Sequence, residues 1–235
     1  MTTQAHSDET RRGVTRWLVR EPLGVVFVAI TLFVPAGRLD WLWGWALVAV
    51  YAAWIAATTL LLIQKSPELL SERVARNKPG TKRWDTILLS VYGLLTIAKH
   101  VVAGLDVRYG WSQSPVWSQI VTLLIAALSQ ALVTWAMVAN AYFAKVVRIQ
   151  EERGQSVATG GPYAAVRHPG YLGTLLFECV TPILLGSWWA LIPGLLSAVL
   201  ILVRTALEDR TLQEELEGYQ AYARQVRYRL IPGLW

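Results

Sequence analysis

The sequence predicts an all-α protein, a polytopic transmembrane helical bundle of about five to six membrane helices with a C-terminal helical hairpin and a folded tail. Three observations carry that expectation. Of the 235 residues 54% are hydrophobic and 16% charged, whereas soluble domains carry nearer a quarter charged, and the mean hydropathy is +0.38. The apolar residues gather in runs that approach the roughly 20 positions a bilayer crossing requires. Twelve Trp and nine Tyr suit the interfacial belts of a membrane protein, with part of them left for the core.

The elements follow in order. Met1 to Glu21 is polar and lacks the short apolar core and small-residue cleavage site of a secretory signal. Leu23 to Ala36 reads as a short first span, closed by Pro35 and Gly37, and Trp41 to Ile63 as a clear second one. In the loop that follows, Ser66-Pro67-Glu68 marks a helix start with Pro at the first position. That start predicts a short amphipathic surface helix, ended by the turn at Pro79-Gly80. Thr86 to Leu105 is a third span, polar towards its end at Lys99 and His100, and Val116 to Ala144 a fourth, long enough to emerge into water. Tyr171 to Gly186 and Trp188 to Val203 are joined only by Gly186-Ser187, which predicts a tight helical hairpin. Each arm is short for a crossing, and Pro182 and Pro193 are expected to bend them. The chain divides into residues 1–139, the N-terminal membrane helices, and 140–235, a C-terminal region rich in polar motifs, within one integrated membrane domain.

Charge sets the expected orientation. With the N-terminus in the cytosol, 19 of the 22 Lys and Arg residues fall on the cytosolic side, and only Arg38, Lys99 and Arg108 on the far side. That bias predicts an integral membrane protein, of a prokaryotic inner membrane, with both termini cytosolic. The net charge of +6 is thereby explained by topology, and no nucleic-acid partner is expected. The sole cysteine, Cys179, sits in an apolar run and reads as packing. There is no GxGxxG, P-loop, HExxH or CxxC pattern, so no metal site is expected. No pattern specifies an oligomeric state.

Two polar clusters border the hairpin. In the first, Gly161-Pro162-Tyr163 leads to Arg167-His168-Pro169-Gly170-Tyr171. Pro169 suits the first position of a helix with His168 at its cap. The unpaired N–H groups of such a helix start favour an anion, with Arg167 and His168 as further donors. The alternative is that Arg167 meets lipid headgroups and His168 only caps. In the second cluster Arg204, Glu208, Thr211 and Glu215 share one helical face, and Arg204 and Glu208, four apart, can pair. A solvated face with ordinary helix ion pairs is the other reading. Gly218 suits a helix C-terminus, and the patterned tail from Arg227 to Trp235 is expected to fold back over the site. Glu178, a carboxylate within an apolar span, is either functional or a neutral acid bonded to a neighbouring helix. Asn140, on the fourth span, either bonds a neighbour or points into a cavity.

These residues resemble the isoprenylcysteine carboxyl methyltransferase family of integral membrane enzymes. The similarity runs from about Asn140 to Trp235. It is carried by Arg153-Gly154, Gly161-Pro162-Tyr163, Arg167-His168-Pro169 with Tyr171 and Gly173, Arg204, Glu208-Asp209, Leu212, Gly218-Tyr219, Tyr222 and Pro232. Asp209 stands where the family usually repeats Glu, Gln155 where eukaryotic-type members tend to have His, and Glu178 is outside the pattern.

The resemblance implies S-adenosylmethionine as cofactor, bound on the cytosolic side by Tyr163, Arg167, His168, Pro169, Tyr171 and Glu208 and covered by the tail. It implies catalytic roles for Arg204 and Glu208 and a lipophilic or lipidated acceptor: a carboxylate of the isoprenylcysteine kind, or a related thiol or lipid amine. Glu178 and Asn140 are expected on the acceptor side, in contact with a path from the membrane lipids. Methyl transfer from a sulfonium is an in-line displacement that needs positioning and water exclusion more than a strong base. The alternatives are an NADPH-dependent membrane reductase of the sterol reductase type, for which the chain is short and poor in 2′-phosphate-binding basic residues, and a non-enzymatic membrane protein.

Overall fold

The apolar runs become helices, and the structure, a computed structural model, describes residues 3–75 and 78–235, with side chains from residue 8 onward. Arg76, counted above among the cytosolic basic residues, lies outside the described residues. In chain order the helices are α1 (Thr3–Ala36), α2 (Leu42–Lys65), α3 (Pro67–Val74), α4 (Arg83–Tyr109), α5 (Val116–Ala139), α6 (Pro169–Leu184), α7 (Leu191–Glu215) and α8 (Tyr219–Gln225). Among the described residues there is no strand. Helices α1, α2, α4, α5 and α7 are long and apolar enough to cross a membrane, and the protein is an integral membrane protein.

The bundle is apolar outside and polar within, as a lipid solvent demands. On α5 the outward stripe is Trp117, Ile120, Val121, Leu124 and Leu128. Inside, polar side chains link helices: Thr58 with Thr134 at 2.9 Å, and Thr31 with His100 at 3.0 Å. Glycines permit close helix crossings. A Cβ on Gly104 would lie 2.6 Å from the Leu32 carbonyl oxygen of α1, and one on Gly173 2.6 Å from the Ser129 carbonyl oxygen of α5.

Several boundaries differ from the sequence expectation. Helix α1 starts far upstream of Leu23 and runs through Pro22. Its first half is held by packing: Trp17 is buried against Leu62, Leu69 and Leu70, and its Nε1 donates to Thr59 Oγ1 at 2.8 Å. A Cβ on Gly13 would fall 2.0 Å from Ser71 Oγ, so α1 presses directly on α3. Helix α3 begins at Pro67 as expected, with Leu69, Leu70 and Val74 turned inward. Helix α5 stops at Ala139 and does not emerge as a helix, because Asn140 Oδ1 accepts the Tyr142 N–H at 2.9 Å and turns the chain.

Helix α6 has 16 residues and rises only about 24 Å, yet the hairpin reaches the far end of the bundle. Its turn is tied to the α4–α5 connection: Trp188 N–H donates to Ser112 Oγ at 3.1 Å, and Gln119 Nε2 to the Leu184 carbonyl at 3.3 Å. Asp106, buried in the last turn of α4, accepts from the Ser112 N–H and from the Ser112 and Ser187 hydroxyls. Pro182 lies within α6, but Pro193 sits in the first turn of α7, where its missing N–H breaks no helical bond, so it is no bend. Gly218 does not end α7: Leu216 caps that helix, and Gly218, with φ 80°, opens α8. Lys99 is not on the far surface; it is fully buried inside the bundle.

Candidate active site

The site is assembled where the second half of the chain returns to the end of the bundle that holds α3. A short 3-10 turn at Gly161–Ala164 places Tyr163. The Tyr222 hydroxyl donates to the Tyr163 carbonyl at 2.7 Å, and Asn140 Nδ2 to the Tyr163 hydroxyl at 3.3 Å. Burial holds the Tyr163 hydroxyl well above its ordinary range, and the same effect pushes Tyr222 up to about 12. Both are therefore neutral hydrogen-bonding groups at physiological pH.

Helix α6 starts at Pro169 after His168, but the His168 ring makes no side-chain cap. It turns to Asp209, whose Oδ1 accepts from His168 Nε2 at 3.1 Å. Asp209 is fully buried and gathers this whole corner. It accepts Arg167 Nε at 2.7 Å and Nη2 at 3.0 Å, Arg229 Nε at 2.8 Å, Gln213 Nε2 at 2.8 Å and the Tyr219 hydroxyl at 3.1 Å. Arg167 Nη1 donates to the carbonyls of Val226 and Arg227. Burial alone would lower the Arg167 pKa, but the hydrogen bonds and charge of Asp209 raise it overall.

The tail folds back onto the start of α6 as expected, but none of its residues from Arg227 to Trp235 lines the site cavity. The backbone N–H groups of Arg167 and His168 donate to the carbonyls of Tyr228 and Arg229, each at 2.9 Å. The Arg167 guanidinium donors that the sequence reading offered to an external anion are thus used internally. Arg167 is a strut between α6, α7 and the tail, and neither a lipid-facing cation nor an open anion donor. His168 keeps one ring nitrogen, Nδ1, without a partner among the described residues, and its ring lines a cavity.

A second constellation adjoins this corner through Tyr171, whose ring centroid lies 5.8 Å from that of His168. The Arg204–Glu208 pair expected from helical spacing does not form. Arg204 Nε donates to Asp85 Oδ1 at 2.6 Å and Nη2 to the Lys145 carbonyl at 2.8 Å, while the guanidinium lies 5.2 Å from the Tyr171 ring centroid. Glu208 instead accepts the Tyr171 hydroxyl. Asp85, in the first turn of α4, also accepts the Val147 N–H at 2.8 Å and so pins the segment after α5. These contacts prevail because Tyr171 and Asp85 reach α7 from outside its own helix, a fact no one-helix spacing encodes.

The cavity measures about 310 Å³, within the size range of small-molecule sites, roughly 300–1,000 Å³. Tyr163, Arg167, His168, Tyr171, Arg204 and Glu208 all line it. Asn140 lines it too, but beside Tyr163 at the polar end, away from Glu178 with which the sequence reading grouped it. From this end the space continues between membrane helices to Tyr51, Tyr92, Gln130 and Phe177. Pro169 and Glu178 do not line it. Glu178 stands one layer behind, salt-bridged to Lys99 at 2.6 Å and accepting the Tyr92 hydroxyl at 2.7 Å. The carboxylate read as either functional or a neutral acid bonded to a neighbouring helix is bonded to a neighbouring helix, but as an ion pair with a lysine of α4.

Sequence reasoning missed Asp85, the anchoring role of Asp209, and Arg73. Arg73, in the last turn of α3, lines the cavity between the rings of Trp17 and Phe143, with centroids at 5.8 and 5.6 Å. Its Nη1 donates to the Phe143 carbonyl, its Nε is buried with no partner, and among the described residues it has no carboxylate partner. The other cavity-lining arginines, Arg148, Arg167 and Arg204, each have one. Burial pulls the Arg73 pKa down to about 10. A signal for Asp85 was present: an acidic residue in the first turn of an otherwise apolar span.

Fold and site together define an integral membrane protein with a cavity that joins a polar end chamber to the interior of the bundle. Residues 120–214 match the model of the Isoprenylcysteine carboxyl methyltransferase (ICMT) family, and over that stretch the resemblance read from the residues is borne out. The match spans most of α5, the Arg167-His168-Pro169 turn, and α6 and α7 through Glu208 and Asp209. It thus begins before Asn140 and ends before the tail. It supports a membrane methyltransferase. No curated protein matches the chain.

Proposed function

We propose that this protein is an S-adenosylmethionine-dependent methyltransferase acting on a lipophilic acceptor, with the cofactor in the polar chamber and the acceptor entering between membrane helices. The observation that carries this reading is the single cavity lined by both His168 and Glu208 at one end and Tyr92 and Phe177 at the other. A soluble donor and a membrane-dissolved acceptor meet in such a space.

The residues suit the cofactor. Its amino-acid end needs donors for a carboxylate and an acceptor for an ammonium; His168 and Tyr163 offer the first, and Glu208 the second. When bound, S-adenosylmethionine supplies an electrophilic methyl group on a sulfonium. Asp209 fixes the His168 ring, and the Tyr171 hydroxyl fixes the Glu208 carboxylate. Arg204, held by Asp85 and stacked on Tyr171, is set to orient an acceptor carboxylate, and Arg73 adds positive charge to the same cavity. A carboxylate acceptor arrives ionised, so no general base is required. The bundle and α8 wall the cavity, and rate comes from holding acceptor and methyl group in line.

The positive charge of Arg73 and Arg204 in the cavity favours a carboxylate acceptor, as in protein-S-isoprenylcysteine O-methyltransferase, over a lipid amine. We infer further that the polar chamber faces the cytosol of a prokaryotic cell and that both termini lie there, which the basic-residue bias supports. Incubation of the solubilised protein with methyl-labelled S-adenosylmethionine, native membrane lipids, prenylated cysteine analogues and small thiols tests the reading. Label in an organic-extractable product that alkali releases as methanol is expected for a carboxylate acceptor. No transfer to any acceptor by protein that is folded contradicts it.

A further inference from the structure

The deep end of the cavity carries hydrogen-bonding groups where an acceptor with a plain hydrocarbon chain needs none. Gln130 lies in the middle of α5, is only 8% exposed, lines the cavity, and its side chain has no hydrogen-bond partner among the described residues. Its neighbour Ser129 packs on Gly173, which sets its depth near the second turn of α6. Tyr51 and Tyr92 line the same space from α2 and α4. The Tyr51 ring meets Phe177 edge-on at 5.3 Å, and Tyr51 has no hydroxyl partner among the described residues. A polar group left unmatched within a membrane bundle is costly. Gln130 and Tyr51, both without partners among the described residues, share one cavity with Tyr92 and call for a polar partner inside it.

The buried ion pair behind them sets the polarity. Lys99 and Glu178 are 0% and 1% exposed and bonded at 2.6 Å. Glu178 Oε1 accepts a hydrogen bond from the Tyr92 hydroxyl at 2.7 Å. With that hydrogen committed, the Tyr92 oxygen can only accept, while the Gln130 amide both donates and accepts. A hydroxyl, donor and acceptor in one atom, matches both. The depth of Tyr92 is also fixed. Tyr92 is seven residues beyond Asp85 on α4, and Glu178 seven beyond Tyr171 on α6. On each helix that is about 10 Å below the Arg204–Tyr171 level.

We propose that Gln130 and Tyr92, with Tyr51, form a hydroxyl-recognising subsite, so that the acceptor is an amphiphile whose apolar body carries a hydroxyl group about 10 Å from the methylated atom. This rests on the methyltransferase reading for the word acceptor, but the subsite itself does not. Glu178 and Lys99 act as positioning residues through Tyr92.

The test uses octanoate and ω-hydroxyoctanoate, a pair whose extended length places the hydroxyl at that depth. Binding of each to the detergent-solubilised full chain is measured by calorimetry, with and without S-adenosylhomocysteine, for wild type, Gln130→Leu and Tyr92→Phe. Comparing the ratio of the two affinities between wild type and variant cancels partition into detergent. Gln130 has no protein partner to lose, so the leucine variant keeps the fold. We expect wild type to favour ω-hydroxyoctanoate, and each variant to lose about tenfold of that ratio, with S-adenosylhomocysteine affinity unchanged. A ratio equal in wild type and both variants, or no measurable binding of ω-hydroxyoctanoate, overturns the proposal. Loss of the ratio in the variants without any S-adenosylhomocysteine binding would sink the methyltransferase reading and leave the hydroxyl subsite standing.

Discussion

Arg204 on α7 donates from Nε to Oδ1 of Asp85 on α4 at 2.6 Å, across 119 positions of chain. Asp85 has no exposed surface, and the Arg204 side chain is 11% exposed. Removing one partner from a buried pair leaves the other charge uncompensated, at a cost of about 3–5 kcal/mol. We expect Asp85→Ala to lower the thermal midpoint in detergent by more than Arg204→Met, which leaves a carboxylate still bonded to the Val147 N–H. Equal midpoints for wild type and Asp85→Ala would show that the contact holds nothing together.

Asp209 joins α6, α7, α8 and the tail through one carboxylate. Asparagine at that place keeps the shape but removes the charge that Arg167, His168 and Arg229 share. Asp209→Asn should loosen the segment after Gln225 first, because Arg229 and the Tyr228 and Arg229 carbonyls are its moorings. Trypsin cleavage at Arg227 and Arg229, followed by mass spectrometry, should speed up at least severalfold while the membrane helices stay intact. Cleavage at the wild-type rate counts against the hub.

The two residues of the Arg167-His168 dipeptide are expected to separate by phenotype. Arg167 spends its donors on Asp209 and on two tail carbonyls. His168 lines the cavity with Nδ1 unengaged. His168→Ala should weaken S-adenosylhomocysteine by roughly 10–100-fold, the worth of a hydrogen bond to a charged group. Arg167→Ala should chiefly lower the thermal midpoint. The reverse pattern would reassign the contact to Arg167.

Membership in the bundle was legible because span length and composition follow from the solvent. Helix starts were legible where proline marks them, at Pro67 and Pro169. What escaped were contacts that join distant segments. Glu208 and Arg204 look like partners on a helical wheel, but Tyr171 and Asp85 reach them first. Lys99 read as a polar helix end because only Glu178, on another helix, explains a lysine at that depth. The upstream reach of α1 escaped because Trp17 is stabilised by α2 and α3, and nothing within its own polar segment reveals that. Asp209 read as a mild substitution, since its five partners come from four separate stretches of chain.

Arg73 has a different consequence. Burial lowers its pKa to about 10, below its unfolded value, so the folded chain binds that proton less tightly and the charge costs stability at neutral pH. That penalty fades only as pH rises through the region above 10. We expect Arg73→Met to be neutral or stabilising at pH 7 while raising the KM for a carboxylate acceptor about tenfold or more. A destabilised variant with unchanged KM would make Arg73 structural.

The central claim is that the polar chamber between α6, α7 and α8 holds S-adenosylmethionine. Titration calorimetry of the detergent-solubilised protein against S-adenosylhomocysteine, with NADPH as the parallel ligand, addresses it most directly. We expect saturable one-site binding of S-adenosylhomocysteine, weakened by His168→Ala, and none of NADPH. Saturable binding of NADPH without S-adenosylhomocysteine binding would contradict the account and favour a membrane reductase, and binding of neither by folded protein would remove the cofactor chamber altogether.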